Sequence, residues 1–446
     1  MGHLQMTISR LDISDNKKRV LKNIFWSVIG KIITLLGGLL VGIFVARYLG
    51  PERYGLMNYV ISLVSIFTII AQFGFDLIEI REEARRPKLR DIIIGTFFYL
   101  RLFLAITTMA LVVLYVFSYE TDAYVRNLIL IYALSIILST FNVTRNYFTA
   151  IVWNEYIVKT EIIRTIVGVF VKISLVLCEA SLTWFIGALV FDSILLASGY
   201  AFSYKKYISS FQQWRFNRRV AQYAMSQSFP LLLSGAAIII YQRIDQIMIS
   251  SMIDNARLGI YSVAVRFAEI LVFVPTMIAQ TIAPVLVETR QIDVQRYETQ
   301  SRIFMNVTVY ACIMLAVLTC ILAYPVIYYT FGKVYIGAAS ILSILAFKVV
   351  GDALSQTSGQ LIIIEGIQKY ASIRNIIGCI ACILLNLFFI TNYGIHGAAY
   401  VAVITIFISG TFSNLIIPSY RRIFYKQILA ITIGWKDIIN IKKLLR

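Results

Sequence analysis

Seven basic side chains lie within long apolar stretches of this sequence, where an unpaired charge is costly. If these stretches cross a bilayer, a charge near its centre costs about 3 kcal/mol even on the most lenient insertion scale. Each such group must therefore face water, reach the interface or form an ion pair. Arginine and lysine in a wet cavity can bind the phosphates of an anionic substrate. The seven are Lys31, Arg101, Arg145, Lys172, Arg243, Arg266 and Lys348.

Their spacing separates these groups. Arg101, Lys172 and Arg243 lie deep and have no acidic partner on the same helical face, whereas Lys31 and Arg145 lie near predicted helix ends, from which they can snorkel. Two further cations stand one helical turn from an acid, so that ion pairing and substrate contact both remain open; these pairs are Arg266 with Glu269 and Lys348 with Asp352.

We therefore predict one set of substrate-binding cations and one set of acids for ion coupling or for the cavity wall. The predicted cations are Arg101, Lys172, Arg243, Lys31, Arg266 and Lys348. The predicted acids are Asp192, Asp245, Glu269 and Asp352, and Asp192 is expected to be the one deep acid of the N-terminal half. A polar stripe in the seventh predicted span, formed by Gln227, Ser234, Tyr241 and Asp245, suits the lining of a cavity.

The elements that must position these groups are membrane helices. The 446 residues are 59% hydrophobic and 14% charged, with a mean hydropathy of +0.78, which no soluble globular protein approaches. The apolar runs are continuous and lack the alternation of a β-barrel. The sequence predicts an all-α polytopic membrane protein with twelve spans: 25–46, 54–77, 92–118, 127–150, 162–180, 182–202, 222–252, 259–287, 302–323, 337–364, 371–391 and 395–418.

The basic residues between these spans predict the orientation. With a cytoplasmic N-terminus, inner segments carry 29 Lys and Arg residues and outer loops carry 5. Positive residues accumulate on the cytoplasmic side, so both termini are predicted to be cytoplasmic. The net charge of +18 is then mainly this orientation signal, and nucleic acid is not expected as a partner.

A repeat predicts two parallel lobes. The stretch "ARYLGPERYG" (46–55) is echoed by "DNARLGIYSVAVR" (254–266), which aligns Gly55 with Gly259 at an offset of 204. A second echo, "WFIGALVFD" (184–192) and "GIHGAAYVAV" (394–403), has an offset of 210. Two six-helix lobes related by pseudo-two-fold symmetry are typical of alternating-access transporters.

The predicted division of the chain follows from these spans and from the repeat. It consists of a cytoplasmic N-terminal segment (1–24), an N-lobe (25–202), a basic cytoplasmic linker (203–221), a C-lobe (222–418) and a basic amphipathic tail at the membrane interface (419–446).

These residues resemble a known family. "NIFWSVIGK", "ARYLGPERYG" and "FPLLLSGAA", with "DQIMISSM" and "ARLGIYSVAVR", are similar to the polysaccharide transporter family, which includes the O-antigen (Wzx-type) flippases of the multidrug/oligosaccharidyl-lipid/polysaccharide exporter superfamily. The resemblance covers essentially the whole chain. Related lipid II flippases usually have two further helices, so the twelve predicted spans argue against that branch.

The resemblance implies a flippase of the bacterial inner membrane for undecaprenyl-diphosphate-linked oligosaccharides used in O-antigen, capsule or exopolysaccharide synthesis. It also implies membrane lipids and polysaccharide polymerase or assembly proteins as partners. No cofactor is expected, and protons, sodium ions and membrane potential all remain open as the energy source. The alternatives are a multidrug efflux antiporter of the same fold and a membrane glycosyltransferase or polymerase. An enzyme is not expected, because the longest predicted outer loop, 324–336, is too short for a catalytic domain.

Overall fold

The protein is helical throughout the part that can be described. The computed structural model describes the backbone of residues 2–439 and the side chains of Trp26 and of residues 30–437, and no strand occurs in this range. The helices are α1 (Gly2–Gln72), α2 (Phe75–Arg85), α3 (Arg90–Tyr119), α4 (Ala123–Leu138), α5 (Asn142–Ala150), α6 (Asn154–Leu177), α7 (Leu182–Tyr207), α8 (Arg218–Met252), α9 (Asn255–Leu271), α10 (Phe273–Ile292), α11 (Val294–Phe331), α12 (Gly337–Ala346), α13 (Lys348–Ile364), α14 (Ala371–Phe407), α15 (Ser413–Ile416), α16 (Arg421–Ile433) and α17 (Trp435–Ile439).

Nine helical stretches within the described residues are long and apolar enough to cross a membrane. Two of them contain a break where the sequence predicts a turn between consecutive spans. Gly50 (φ 72°, ψ 170°) interrupts α1, and Gly394 (φ 60°, ψ −139°) interrupts α14. Helix α6, which contains most of the predicted span 162–180, is not among the nine. The all-helical membrane fold is confirmed, and the count of twelve spans stays a prediction.

Aspartate side chains cap the N-termini of several helices. Asp122 accepts a hydrogen bond from the backbone N–H of Tyr124 at 2.8 Å, and Asp254 accepts one from Arg257 at 2.6 Å. Such N-caps satisfy backbone donors that a helix leaves unpaired in its first turn. Asp122 caps α4 and Asp254 caps α9, so the local sequence determines where these two helices start.

The chain divides into two compact units. The first comprises Met1–Val45 with Phe67–Leu232, and the second comprises Ala46–Ile66 with Leu233–Arg446. The core of the first unit includes Phe75, Phe97, Phe148, Tyr204 and Trp214. The core of the second includes Phe304, Met305, Val349, Leu354 and Tyr420.

The repeated hairpin-tip stretches contact each other within the second unit. A Cβ added to Gly55 would clash with the carbonyl oxygen of Asn255, and one added to Gly259 would clash with the carbonyl oxygen of Pro51. The two glycines that the repeat aligns therefore allow the segment 46–66 to approach α9 closely, as small residues do where helices cross.

Hydrogen bonds hold the same segment in place. The hydroxyl of Tyr335 donates to the carbonyl oxygen of Ala46 at 2.8 Å, and Arg47 Nη2 donates to the carbonyl oxygen of Tyr329 at 2.9 Å. The elaborate composition of the tip thus serves packing: glycine permits the approach, and Arg47 satisfies a carbonyl near the end of α11.

The C-terminal tail contains the short helix α16, followed by α17. Lys426 Nζ lies 2.7 Å from Glu298 Oε2, and Arg302 Nε lies 2.9 Å from Asp437 Oδ2. Ion pairs therefore tie this tail to α11. The predicted location at the membrane interface stays a prediction; residues 440–446 and the side chains of 1–24 lie outside the described residues.

Candidate functional site

The first unit contains a buried charged cluster centred on Arg101 of α3. Its guanidinium Nη2 lies 2.6 Å from Asp76 Oδ1 and 2.7 Å from Glu79 Oε2, both on α2. Asn146 Nδ2 of α5 donates to the same two oxygens at 2.8 Å. The sequence places no acid on the same face of the helix that carries Arg101, and the structure supplies both partners from a neighbouring helix.

A third carboxyl group, that of Glu83, completes what we call the α2 acid cluster: Asp76, Glu79 and Glu83 with Arg101 and Asn146. The three acids are spaced i, i+3 and i+7, so they share one helical face. Glu79 is 0% and Glu83 2% exposed. Neither oxygen of Glu83 has a hydrogen-bond partner among the described residues. The expectation that Asp192 is the one deep acid of this half is therefore wrong.

Hydropathy predicts that the second span ends at residue 77, which places Glu79 and Glu83 in the loop that follows. In the structure, α2 continues to Arg85, and both glutamates lie on this helix. The spacing of Asp76, Glu79 and Glu83 was the available signal, since it predicts a single acidic stripe on a helix.

Lys172 and Asp192 form a second charged pair in the first unit. Lys172 Nζ lies 2.5 Å from Asp192 Oδ2, and their side chains are 11% and 14% exposed. Helices α6 and α7 supply one partner each. A Cβ at Gly168 would clash with Asp192 Oδ1, so the absence of a side chain there makes room for the pair. Lys31, also in this unit, is exposed.

In the second unit, two arginines share one carboxylate. Arg243 Nη1 of α8 lies 3.5 Å from Glu269 Oε1, and Arg266 Nη1 of α9 lies 4.0 Å from Glu269 Oε2. All three side chains are partly exposed, at 31%, 44% and 40% for Arg243, Arg266 and Glu269. The group therefore carries a net charge of +1 and has guanidinium surface available to a ligand.

Asp245 lies in a polar network next to this group. Its carboxylate accepts hydrogen bonds from the Tyr261 hydroxyl at 2.5 Å and from the backbone N–H of Gln246 at 2.8 Å. Gln246 Oε1 in turn accepts from the hydroxyl of Ser62 at 2.8 Å. Asp245 is buried, at 6% exposed, so its carboxylate interacts with protein groups in the interior.

Lys348 and Asp352 both lie on α13. Asp352 is buried, at 9% exposed, and its Oδ2 atom has no hydrogen-bond partner in the described part of the chain. Lys348 exerts an attractive electrostatic effect on both Asp352 and Asp245. This lysine therefore compensates two carboxylates and has less positive charge available for a substrate than the sequence suggested.

Arg374 is a buried cation near the start of the predicted span 371–391, and it is not among the predicted site residues. It lies in the first turns of α14 and is 7% exposed. Its Nε donates to the carbonyl oxygen of Ser409 at 3.2 Å, and its Nη2 donates to that of Gly410 at 3.3 Å. Both carbonyls belong to a π-helical turn, Ile408–Phe412, a conformation that often marks functional positions.

The predicted site residues thus separate into two groups. Lys31, Arg101, Lys172 and Asp192 belong to the first unit, and Arg243, Asp245, Arg266, Glu269, Lys348 and Asp352 belong to the second. No group of three or more His, Cys, Asp or Glu side chains in the described range could hold a metal ion.

A chain whose described part is all-helical, with nine helical stretches long and apolar enough to cross a membrane, is a polytopic membrane protein in class. The chain belongs to the polysaccharide biosynthesis protein family, whose pattern it matches over residues 20–290. The resemblance drawn from the sequence is thereby confirmed. No curated protein matches the chain.

Solved structures share the fold over nearly the whole chain. One is "Lipid II flippase MurJ, inward closed conformation", with a TM-score of 0.66 at 18% identity, covering 94% of this chain and 93% of that one. Another is an inward-facing multidrug resistance MATE family transporter of the MOP superfamily, with a TM-score of 0.66 at 16% identity, covering 94% and 99%. At 18% and 16% identity, these similarities establish a shared fold only.

Proposed function

We propose that this protein is a flippase that carries an undecaprenyl-diphosphate-linked oligosaccharide from the cytoplasmic to the outer leaflet of the bacterial inner membrane. The observation that carries the proposal is the combination of a polysaccharide biosynthesis family with the fold of a lipid II flippase over 94% of the chain. A polysaccharide biosynthesis protein with the fold of a lipid flippase would suit a substrate that is both a glycan intermediate and a lipid. The product would serve O-antigen, capsule or exopolysaccharide synthesis.

The charged groups indicate which residues would bind the diphosphate. Arg243 and Arg266 share the single carboxylate of Glu269 and are partly exposed, so their guanidinium groups are the best candidates. Arginine can bind phosphate through two parallel hydrogen bonds. A phosphate charge 4 Å from one guanidinium gains about 4 kcal/mol at an effective dielectric constant of 20, before desolvation.

Arg101 and Lys172 are weaker candidates than the sequence suggested. Arg101 is 2% exposed and lies within 2.7 Å of two carboxylates, so its charge is already compensated. Lys172 is matched by Asp192. We therefore assign both to the internal charge balance of the first unit, and retain Lys31 as an exposed cation available to a lipid or substrate phosphate.

The test is surface-glycan output in cells that lack their own flippase and express variants at matched membrane levels. The double variant Arg243→Ala/Arg266→Ala should accumulate lipid-linked glycan in the inner leaflet, whereas Arg243→Lys/Arg266→Lys should keep part of the output. Arg126→Ala serves as the control: Arg126 is partly exposed and contacts the ring of Phe117, outside the proposed site, so this variant should export normally. If the double alanine variant exports glycan at the wild-type level, these arginines do not bind the substrate. If the wild-type chain does not restore glycan, the protein is not a flippase for this substrate.

A multidrug efflux antiporter is the second candidate. The same fold occurs in MATE transporters, and the α2 acid cluster would serve as the carboxylate-led ion site in the N-terminal half that such an antiporter needs. The same cells separate the two functions: efflux predicts resistance to cationic drugs with no restored glycan, and flipping predicts restored glycan with unchanged drug sensitivity.

A further inference from the structure

The α2 acid cluster has more hydrogen-bond acceptors than donors. Among the described residues, four of its buried oxygen atoms have no partner: Glu79 Oε1, Asn146 Oδ1 and both carboxylate oxygens of Glu83. The one unpartnered donor of the cluster in the same range is Arg101 Nε. Ionised carboxylates only accept hydrogen bonds, and only a protonated carboxyl group can donate one. The cluster therefore has too few hydrogen-bond donors for its acceptors, and a protonated carboxyl group would supply one.

Its charges lead to the same conclusion. If Asp76, Glu79 and Glu83 are all ionised, only Arg101 opposes them within the cluster, which leaves a net charge of −2. Glu83 lies one helical turn after Glu79 on the same face of α2, and it is repelled by Glu79 and attracted by Arg101. Buried carboxylates that share a site cannot all remain ionised.

The surroundings offer little further compensation. Helix α3 contributes Arg101, and α5 contributes the neutral Asn146 together with Arg145, which interacts electrostatically with Asp76. Arg145 lies 3.7 Å from Glu161 and is itself partly neutralised. Glu83 is thus the acid of the cluster that has no direct partner of either kind in the described chain.

We propose that Glu83 binds an exchangeable proton, which it shares with Glu79. Protonation gives Glu83 an O–H group that can donate to the unpartnered oxygen of Glu79 or of Asn146, and it lowers the excess negative charge by one. Asp76, whose side chain is 52% exposed, connects the buried acids to the surface of the unit. The proton site stands on this geometry; its use as the coupling site of the flippase rests on the proposed function.

Glu82 provides a matched control on the same helix. It is buried to a similar degree, at 4% exposed, but its Oε1 accepts hydrogen bonds from Arg81 Nε at 3.2 Å and from the Tyr223 hydroxyl at 3.1 Å. Arg86 Nε lies 3.6 Å from its other oxygen. Glu82 thus has the two cations and the hydroxyl as direct partners, which Glu83 lacks in the described range.

The experiment is infrared difference spectroscopy on the full-length chain reconstituted in phospholipid. Lowering the pH stepwise from about 10 to about 6, still above the ordinary range of exposed carboxyl groups, should produce the C=O stretch of a neutral carboxyl group in the wild type. Glu83→Gln should lose this band, Glu83→Asp should shift it, and Glu82→Gln should leave it unchanged. Thermal unfolding of each variant shows whether the fold is retained.

Three outcomes would overturn the proton site: no such band in the wild type, a band that survives Glu83→Gln or stays unshifted in Glu83→Asp, or its loss in Glu82→Gln. Glycan export separates this result from the proposed function. A band that depends on Glu83 in a chain that exports no glycan refutes the flippase and keeps the proton site. Normal export by folded Glu83→Gln refutes the coupling role.

Discussion

At the scale of single residues, Arg101 shows how burial changes the meaning of a membrane cation. A guanidinium in an apolar helix suggests a substrate contact, but here Asp76 and Glu79 reach it from α2 at 2.6 and 2.7 Å. Its removal would leave the fully buried Glu79 and the half-exposed Asp76 without their cation. The consequence to expect first is therefore loss of stability.

We predict that Arg101→Ala destabilises the folded protein by about 3–5 kcal/mol, because it leaves buried charges uncompensated. The measurement is the thermal unfolding temperature of the purified protein in detergent. Lys159→Ala is the control: that lysine is 50% exposed and pairs with Glu155 on the same helix, so its loss should cost at most about 0.5 kcal/mol.

The double variant Arg101→Met/Glu79→Gln provides a sharper comparison. Removing the fully buried Glu79 together with Arg101 leaves one uncompensated buried charge fewer than Arg101→Ala does, so this variant should unfold at a higher temperature than Arg101→Ala. An Arg101→Ala protein as stable as the wild type would contradict the structural role and return Arg101 to the list of substrate contacts.

Exchange of charges tests the pair formed by Lys172 and Asp192. Lys172→Ala alone leaves a carboxylate that is 14% exposed and should cost about 3 kcal/mol. The exchanged variant Lys172→Asp/Asp192→Lys keeps an ion pair between α6 and α7 and should recover a large part of that loss in chemical denaturation. Equal loss in both variants would show that the positions themselves matter and that the pairing does not.

At the scale of elements, the contact between segment 46–66 and α9 depends on Gly55 and Gly259. Neither glycine has a left-handed backbone conformation. Each is needed because it lacks a side chain and so leaves room for a backbone carbonyl of the other stretch. Backbone cannot rotate away as a flexible side chain can, so even one methyl group must displace a helix. The sequence repeat is therefore a repeat of a packing surface.

We predict that Gly55→Ala and Gly259→Ala each destabilise the second unit by about 1–3 kcal/mol, the range typical of overpacking. Gly235→Ala is the matched control, since no atom lies within 4 Å of the Cβ it would gain on α8. Because glycine in a helix costs about 0.5–1 kcal/mol relative to alanine, that control should be stabilised. Folded yield and thermal unfolding measure all three, and a tolerated Gly55→Ala would contradict the close approach.

Much of the helical architecture follows from sequence, and the exceptions have physical reasons. Asp122 and Asp254 identify helix starts, and the Gly-Pro pair at 50–51 identifies a break, because such residues act through local backbone geometry. Glu79, Glu83 and Arg374 could not be located by hydropathy, since a charged residue at the end of an apolar run lowers the average whether it is buried or solvated. Their burial depends on contacts from other helices, which no linear pattern contains.

The same limit applies to the candidate site. Sequence identifies the cations inside the apolar runs, but partners such as Asp76 for Arg101 come from elsewhere in the chain. Helical spacing predicts the pairing of Arg266 with Glu269. The approach of Arg243 to the same carboxylate depends on how α8 and α9 meet, which the spacing does not contain.

At the scale of the whole molecule, the internal repeat predicts that residues 25–202 and 222–418 have the same fold. The contact between Gly55 and Gly259 lies within the second unit, so the superposition of the two ranges stays a prediction. An experimental structure in which the two ranges do not superpose would contradict the repeat. Parallel repeats also require an even number of spans in each half, which makes the orientation of the termini informative.

The last prediction is that both termini are cytoplasmic. Basic residues near short loops stay on the cytoplasmic side during insertion, and the ratio of 29 inner to 5 outer Lys and Arg residues is large. A reporter fused after Arg446 should therefore report the cytoplasm, and one inserted at 120–122, between α3 and α4, should report the outside. A fusion in the basic stretch 215–219 provides an internal control for the cytoplasmic side. An external C-terminus combined with a cytoplasmic 215–219 would require an odd number of spans after residue 219, and the two halves could then not be parallel copies.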